Sequence, residues 1–512
     1  MSRPYIKPSF LKPVCLTAKA IEGLIHTLPP QSTVLIVDAA GMGRHYVSEV
    51  KQAGLLPLAI FIRHEGYLPP HLKIELLKSR EFFHGQAPVL ELSAEEFYTM
   101  CAGLKPVALV AGSAPALSVL DEGARQAGLD YADPRTAPLR YQSASLLRAS
   151  LRAGLAVHPF YEVHCAADVL PAMHECGNGP WLIRELCYTG RELTHAVGSL
   201  GEALELTERL LNKGSWPLAV SPALEEPLYA LCVQKHAGRL ELTGAWSYSL
   251  SPSLGLEYAA LTLEEDPFSG RMQTLRAFAE RVLEVMQLRH GPASIKIRMG
   301  AEGPALYEAA ATLPEGFLPP GALDLCLGQH FSDSALRTLT RPREDETCPL
   351  NYWPLAHAVS LPLYNLTQQG RVRDIPLYAL LKHLKSRAFF YVTVSIDDDL
   401  LPGFGIKGLL GEVMLVNSFA PELSYEKAAL ERLLKSAPNA LVSTVKFSLP
   451  SLTLRSVRLS RTFEGGSLSD FIGFAAACRP AFGRSVVSLQ GAESRDLLPL
   501  TLVLRALSYS IH

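Results

Sequence analysis

Apolar and polar positions along the first part of the chain fall into short runs of two alternating periods. Val34-Leu35-Ile36-Val37 is a continuous apolar run, the pattern of a strand buried on both faces. Asp38 to Gly43 is the turn that leaves it, Tyr46 to Gly54 carries a helical pattern, and Leu58-Ala59-Ile60-Phe61 is the next apolar run. Strand, helix and strand in so short a span make a βαβ unit. Val107 to Val110, followed by Ala111-Gly112-Ser113 and a helix through Gly128, continue the pattern. Residues 1–131 are therefore predicted to form an open α/β domain.

From 132 to 337 helices and strands alternate less regularly, as in an α+β core. Leu139 to Gly154 is predicted as a helix, Trp181 to Ile183 as a strand leading through a turn at Gly190, and Leu200 to Leu211 as an amphipathic helix. Strands follow at Pro217–Ser221, Tyr229–Gln234 and Gly238–Tyr248. Phe278, Val282, Val285 and Met286 share one face of a helix that stops at Arg289-His290-Gly291. Two β-prone runs then flank a turn holding Gly300 and Gly303, and Glu308 closes the second.

Thr338–Glu346 reads as a charged linker. Residues 350–440 carry strands at Ala358–Leu361, Phe389–Ile396 and Glu412–Val416, a glycine-rich turn over Pro402–Gly411, and a helix at Tyr425–Lys435. Residues 441–512 read as an extension of short strands ending in the apolar Leu497–Leu507.

Composition narrows the function classes. A chain of 512 residues exceeds one ordinary core, and 48% hydrophobic with 19% charged residues is the make-up of a well-packed globular protein. A net charge of −2 gives no electrostatic basis for nucleic acid or an anionic membrane as partner. No run approaches the roughly 18 apolar residues of a membrane helix. Met1-Ser2-Arg3-Pro4-Tyr5 lacks a signal-peptide core, and nine scattered cysteines form no C-x-x-C pair, so a cytoplasmic location is expected.

The stretch G-P-A-S-I-K-I-R-M-G-A-E-G-P-A-L-Y-E, from Gly291 to Glu308, resembles the metal-binding end of the ATP-grasp ligases. There a helix leads into "G-hydrophobic-E" on one strand and "hydrophobic-E-x-N-x-R" on the next. The likeness extends over about Thr33 to Leu434 and is nearest the carboxylate–amine ligases of the bacterial L-amino-acid ligase type. Ala111-Gly112-Ser113 with Asp121 one helix on resembles their "aGsE" segment. Gly238-Arg239-Leu240-Glu241-Leu242-Thr243 continues the pattern, and Leu384-Lys385-Ser386 and Gly411-Glu412-Val413 resemble the C-terminal domain. The resemblance implies an open α/β N-terminal domain, a two-lobed ATP-grasp core and a small C-terminal domain. It also implies ATP and Mg²⁺ as cofactors, with two acids and an Asn holding the metal against the phosphates.

Carried over residue by residue, the resemblance makes Glu308 the metal-binding acid and Arg140, Arg184 and Lys296 the nucleotide-facing cations. Arg140 stands where the family has "R-x-x-K", and Arg184 replaces the lysine of the "V-K-P" strand. Other positions depart from the pattern. The first ATP-contacting lysine is Ser143, the first metal acid is Lys296, the Asn is Ala310 and the Arg is Thr312. The phosphate-covering loop is reduced to Tyr188-Thr189-Gly190-Arg191, and the adenine hinge from Ser221 to Leu228 lacks both expected acids. An ammonium cannot ligate Mg²⁺, which takes oxygen ligands. No residue is therefore assigned as catalytic, and ATP and Mg²⁺ are expected to bind weakly or not at all. The expected function is a non-catalytic or accessory homologue, with an active ATP-grasp ligase or a small amino-acid ligand as partner and a homodimer as a further option. The alternative is a divergent, active amide-forming ligase using Arg140, Arg184, Lys296 and Glu308.

Remaining motifs are read structurally. Gly41 and Gly43 form a tight turn, because the third glycine of a dinucleotide fingerprint is missing. Asp397-Asp398-Asp399 reads as a solvated turn and Gly403 to Gly408 as a hairpin turn. His158, His164, Cys165, His174 and Cys176 are crowded but have no common zinc spacing. Trp353 to His357 reads as a buried approach to a strand.

Overall fold

In a computed structural model, the described residues run from 32 to 436, with breaks at 84–85, 189–193, 224–226, 237, 251–257, 315, 341–350, 366–369, 395, 397–398 and 401–408. Beyond 436 they comprise five short strands: Ser443–Val445, Leu452–Arg455, Ser460–Phe463, Val486–Ser488 and Ser510–Ile511. The Thr189–Arg191 part of the phosphate loop, the hinge residues 224–226, Gly403–Gly408 and Leu497–Leu507 therefore lie outside the described residues, as do Asp397 and Asp398.

The chain divides into two compact units. The first takes in the chain up to Pro362 together with Leu384–Tyr391 and Glu412–Ala428; the second takes in Leu363–His383, Val392–Gly411 and the chain from Ala429. Within the first unit, β1 (Thr33–Val37), β2 (Leu56–Ile62), β3 (Val89–Leu92) and β4 (Ala108–Ala111) form a sheet of order β3-β2-β1-β4, parallel throughout. All five β1 residues are buried, as an unbroken apolar run in a helix-covered sheet requires. The parallel α/β sheet expected of this part of the chain is thus present. At its centre Gly43 and Gly112 touch across the ends of β1 and β4. A Cβ on Gly43 would stand 2.2 Å from the Gly112 carbonyl oxygen, so the close backbone approach that glycine permits here is internal packing.

The middle of the first unit holds two further sheets. The smaller, β5 (Tyr161–Val163), β6 (Trp181–Glu185), β7 (Thr194–Val197) and β8 (Leu218–Pro222), is antiparallel in the order β5-β8-β6-β7. One face, with Val163, Ile183, Leu218 and Val220, packs on the helices Val169–Glu175 and Leu200–Asn212. The larger contains β9 (Leu228–His236), β10 (Arg239–Leu250), β11 (Tyr258–Leu263), β12 (Gly291–Gly300), β13 (Gly303–Ala310) and β14 (His357–Tyr364). Its order is β13-β12-β9-β10-β11-β14-β18-β16, where β16 is Arg387–Val392 and β18 Leu409–Asn417. The second unit contributes a three-stranded sheet of β15 (Gly370–Asp374), β17 (Asp399–Leu400) and Ser443–Val445, with β15 central.

Three local expectations are corrected. The helix expected over Leu139–Gly154 is two helices, Pro138–Tyr141 and Ser143–Arg152, because Gln142 takes an extended conformation between them. The strand expected to run to Ile396 ends at Val392. Trp353 and Leu355, expected to be buried, are 67% and 60% exposed; Trp353 meets the ring of Phe268, itself exposed, at 6.1 Å.

Candidate functional site

The hairpin of β12 and β13 presents the candidate residues. Ile295 and Ile297 alternate with Ser294, Lys296 and Arg298 along β12, so the isoleucines enter the core and the polar residues share the opposite face. Lys296 pairs in register with Glu308, whereas Ile297 pairs with Leu306. Tyr307 is thus the extra residue of a β-bulge, which re-aims the side chains on either side of it. The Lys296 ammonium and the Glu308 carboxylate form a direct ion pair, both residues about 5–6% exposed. Lys296 Nζ also lies 5.9 Å from the centre of the Tyr248 ring.

The smaller sheet meets this hairpin at Tyr307. Arg184 projects from the face of β6 that is turned away from its helices. Its Nη2 donates to the Tyr307 carbonyl at 2.9 Å, and its guanidinium carbon sits 4.3 Å from the Tyr307 ring centre. Arg184 Nη1 is buried, with no hydrogen-bond partner among the described residues. The segment before β5 completes the junction. His158 N donates to Leu306 O at 2.8 Å, Leu306 N donates to Ala156 O at 2.9 Å, and the His158 ring lies 5.4 Å from that of Tyr307. His158 Nε2 is 3.0 Å from the Pro222 carbonyl, which can only accept, so Nε2 carries the proton. Burial, helped by the Arg184 cation, pushes the His158 pKa down to about 3, and the ring is neutral.

Arg140, in contrast, stands away from this cluster. All five of its N–H donors are used. Nε and Nη2 reach Asp121 Oδ2 at 3.0 and 2.6 Å, Nη2 reaches Asp133 O at 2.9 Å, and Nη1 reaches Thr136 Oγ1 and Met286 O at 3.1 and 3.0 Å. It joins the helix Leu117–Ala127 of the first sheet to the end of the helix Gly270–Val285. Burial raises the Asp121 pKa despite the adjoining cation. Ser143 Oγ, at the position of the first family lysine, donates to Tyr188 O at 2.9 Å. Ala310 and Thr312 are buried.

Sequence reasoning singled out Arg184, Lys296 and Glu308, and the structure brings these three together around β13. It missed Tyr307 as the meeting point, His158 as the residue at the hinge, and Glu185 as a hub. Glu185 accepts from His195 Nε2 at 3.0 Å, Tyr67 Oη at 3.1 Å and the Ser215 hydroxyl. Burial would raise its pKa, but these bonds outweigh it and hold it below the usual range. An acid next to Arg184 in an otherwise apolar strand was the available signal. Two of the crowded histidines and cysteines have structural contacts: the His164 ring lies 4.8 Å from that of Trp216, and Asp168 Oδ2 accepts from the backbone N–H of both His164 and Cys165. Among the described residues no group of three or more His, Cys, Asp or Glu is arranged to hold a metal ion.

No protein-family model matches the chain, and no curated protein matches its sequence. Solved structures do resemble it. The L-amino acid ligase of Bacillus licheniformis superposes with a TM-score of 0.62 at 13% identity, over 79% of this chain and 98% of that one. The N5-carboxyaminoimidazole synthase of Aspergillus clavatus, solved with ADP and 5-aminoimidazole ribonucleotide, gives 0.55 at 12% identity, over 79% and 99%. The biotin carboxylase domain of Hydrogenobacter thermophilus 2-oxoglutarate carboxylase, a dimer solved with MgADP, ADP and bicarbonate, gives 0.55 at 11%, over 81% and 97%. The likeness is one of fold: the chain carries the ATP-grasp fold of the carboxylate–amine ligases.

Proposed function

We propose that this chain is a non-catalytic or accessory homologue of the ATP-dependent carboxylate–amine ligases, its nucleotide and metal site eroded. The observation that carries this reading is the buried Lys296–Glu308 ion pair. In the family two acids on this hairpin hold Mg²⁺. Here the one surviving acid is neutralised by an ammonium in the place of the other. A divalent cation would have to break a buried pair and then sit beside a positive charge, so the residues present do not fit the metal. Two further contacts support the reading. Arg184 spends part of its guanidinium on Tyr307, and His158 takes the carbonyl of Pro222 in the segment that corresponds to the adenine hinge. Its partner would then be an active ATP-grasp ligase, or a small amino-acid ligand kept in the old cleft, in the cytoplasm.

Magnesium-dependent ADP release with a panel of amino acids tests this. Release at the level of a no-protein control is expected. Amino-acid-stimulated release that Lys296→Glu abolishes would overturn it. One observation favours the second reading, a divergent ligase: the buried Nη1 of Arg184 has no partner among the described residues, and a phosphate oxygen would supply one. In that reading Arg184, Lys296 and Glu308 act on the nucleotide, but Arg140 has no donor left to join them.

A further inference from the structure

The outer side of the helix Ser143–Arg152 carries a cavity of about 280 Å³ that the old cleft does not explain. Ser145, Arg148 and Arg152 stand three and then four residues apart on this helix and so share one stripe, and Arg135 faces them from the turn Pro134–Thr136. Pro138 and Leu139 form the apolar part of the wall, and no acid lines it. Arg148 and Arg152 carry like charge at positions four apart, a repulsion that Glu162 offsets at Arg148 alone.

Two acids outside the cavity orient two of the arginines without filling it. Arg148 gives Nε and Nη2 to the two oxygens of Glu162, and Arg135 gives Nε and Nη2 to Asp133. Each pairing uses one edge of the guanidinium and leaves Nη1 uncommitted. Arg152 has no ion-pair partner among the described residues. Three guanidinium groups therefore line one open depression, two of them held along one edge by a carboxylate and the third without an ion-pair partner among the described residues.

We propose that this cavity is an anion site for a small phosphate monoester, independent of the ATP-grasp cleft. Planar N–H forks match the oxygens of a phosphate, and a volume of this size suits one phosphate group with a few carbon atoms attached. The chain's net charge of −2 disfavours a long polyanion such as nucleic acid as the occupant. The inner side of the same helix buries Ala144, Leu146 and Leu147. A ligand on the outer side therefore acts on an element anchored in the core.

Calorimetric titration of the full chain with ribose 5-phosphate, with ribose and sodium sulfate at matched ionic strength as controls, tests the site. Saturable binding of the phosphate ester alone is expected, weakening as salt rises. Arg152→Glu should lower the affinity tenfold or more, and Arg148→Ala with Arg152→Ala should remove it; all these side chains are exposed, so the fold should persist. Arg125→Ala, at an exposed arginine outside this lining, should leave it unchanged, which separates the site from general surface charge. No saturable binding, equal binding of sulfate, or binding indifferent to Arg152→Glu would each overturn the proposal.

Discussion

Lys296 and Glu308 are each costly to bury alone and tolerable together. Removing one partner of a buried ion pair leaves an uncompensated charge and typically costs about 3–5 kcal/mol, whereas replacing both with apolar residues is often neutral or better. Lys296→Ala is therefore expected to lower the urea midpoint strongly, and Lys296→Met with Glu308→Leu to restore most of the loss. A double variant as unstable as the single one would mean that the pair's partners, not its mutual attraction, set the cost. Both residues were legible in the sequence through the resemblance of Gly291–Glu308 to the family hairpin. Their pairing was not, because counting back from Gly300 and Gly303 sets Lys296 opposite Tyr307, and only the bulge brings it to Glu308. Tyr307 and His158 were not. Tyr307 meets Arg184 only because of a bulge, and His158 reaches the hinge from a segment 64 residues before Pro222.

At the scale of elements, long or continuous apolar patterns were read correctly and short or mixed ones were passed over. The first strand and the helix Leu200–Asn212 followed from the sequence. The strand Val89–Leu92, four residues long and half-buried on alternate positions, gave too little pattern to see. Contacts between elements were also invisible. His330, just before the helix Phe331–Thr340, lies 2.7 Å by Nδ1 from Asp324 Oδ1 and 2.9 Å by Nε2 from Glu49 Oε2, the latter an ion-pair contact rather than a well-aligned hydrogen bond. Burial lowers its pKa, but the two carboxylates outweigh burial and raise it to about 9, against 6.5 for an unstrained histidine. Arg44 and the imidazole of His45, whose pKa burial lowers, stand on the Glu49 side. The folded state thus holds the proton more tightly than the unfolded one. The stability this adds is complete below about pH 6.5 and is lost as pH rises through about 9, a change on the order of 1–3 kcal/mol. Denaturant midpoints measured at pH 6 and pH 9.5 should fall for the native chain and differ much less for His330→Gln. Equal slopes in both proteins would show that another group titrates.

For the molecule as a whole, order carried more information than any one motif. The apolar β1 run, the helix Gly270–Val285 and the β12–β13 hairpin follow one another in the order of an ATP-grasp chain, and the structural likeness extends over 79% of this one at only 13% identity. Backbone hydrogen bonding and apolar burial tolerate that much substitution, whereas a metal site tolerates almost none, so under the proposed function the fold persists where the chemistry is lost. The consequence is measurable on the intact protein. A ligand that binds only the folded state stabilises it by RT ln(1 + [L]/Kd), about 2.7 kcal/mol when its concentration is a hundred times Kd. Each charge-assisted contact missing at Ser143, Ala310 and the hinge is worth roughly 1.5–3 kcal/mol, so several lost together should move Kd for ATP–Mg²⁺ beyond millimolar. Millimolar ATP–Mg²⁺ is therefore expected to leave the thermal midpoint within error of that in MgCl₂ alone, and Lys296→Glu is expected not to change this, because the other contacts would still be missing. A rise of many degrees in the native chain, lost on Lys296→Ala, would instead mean that the ammonium stands in for the metal in a working nucleotide site.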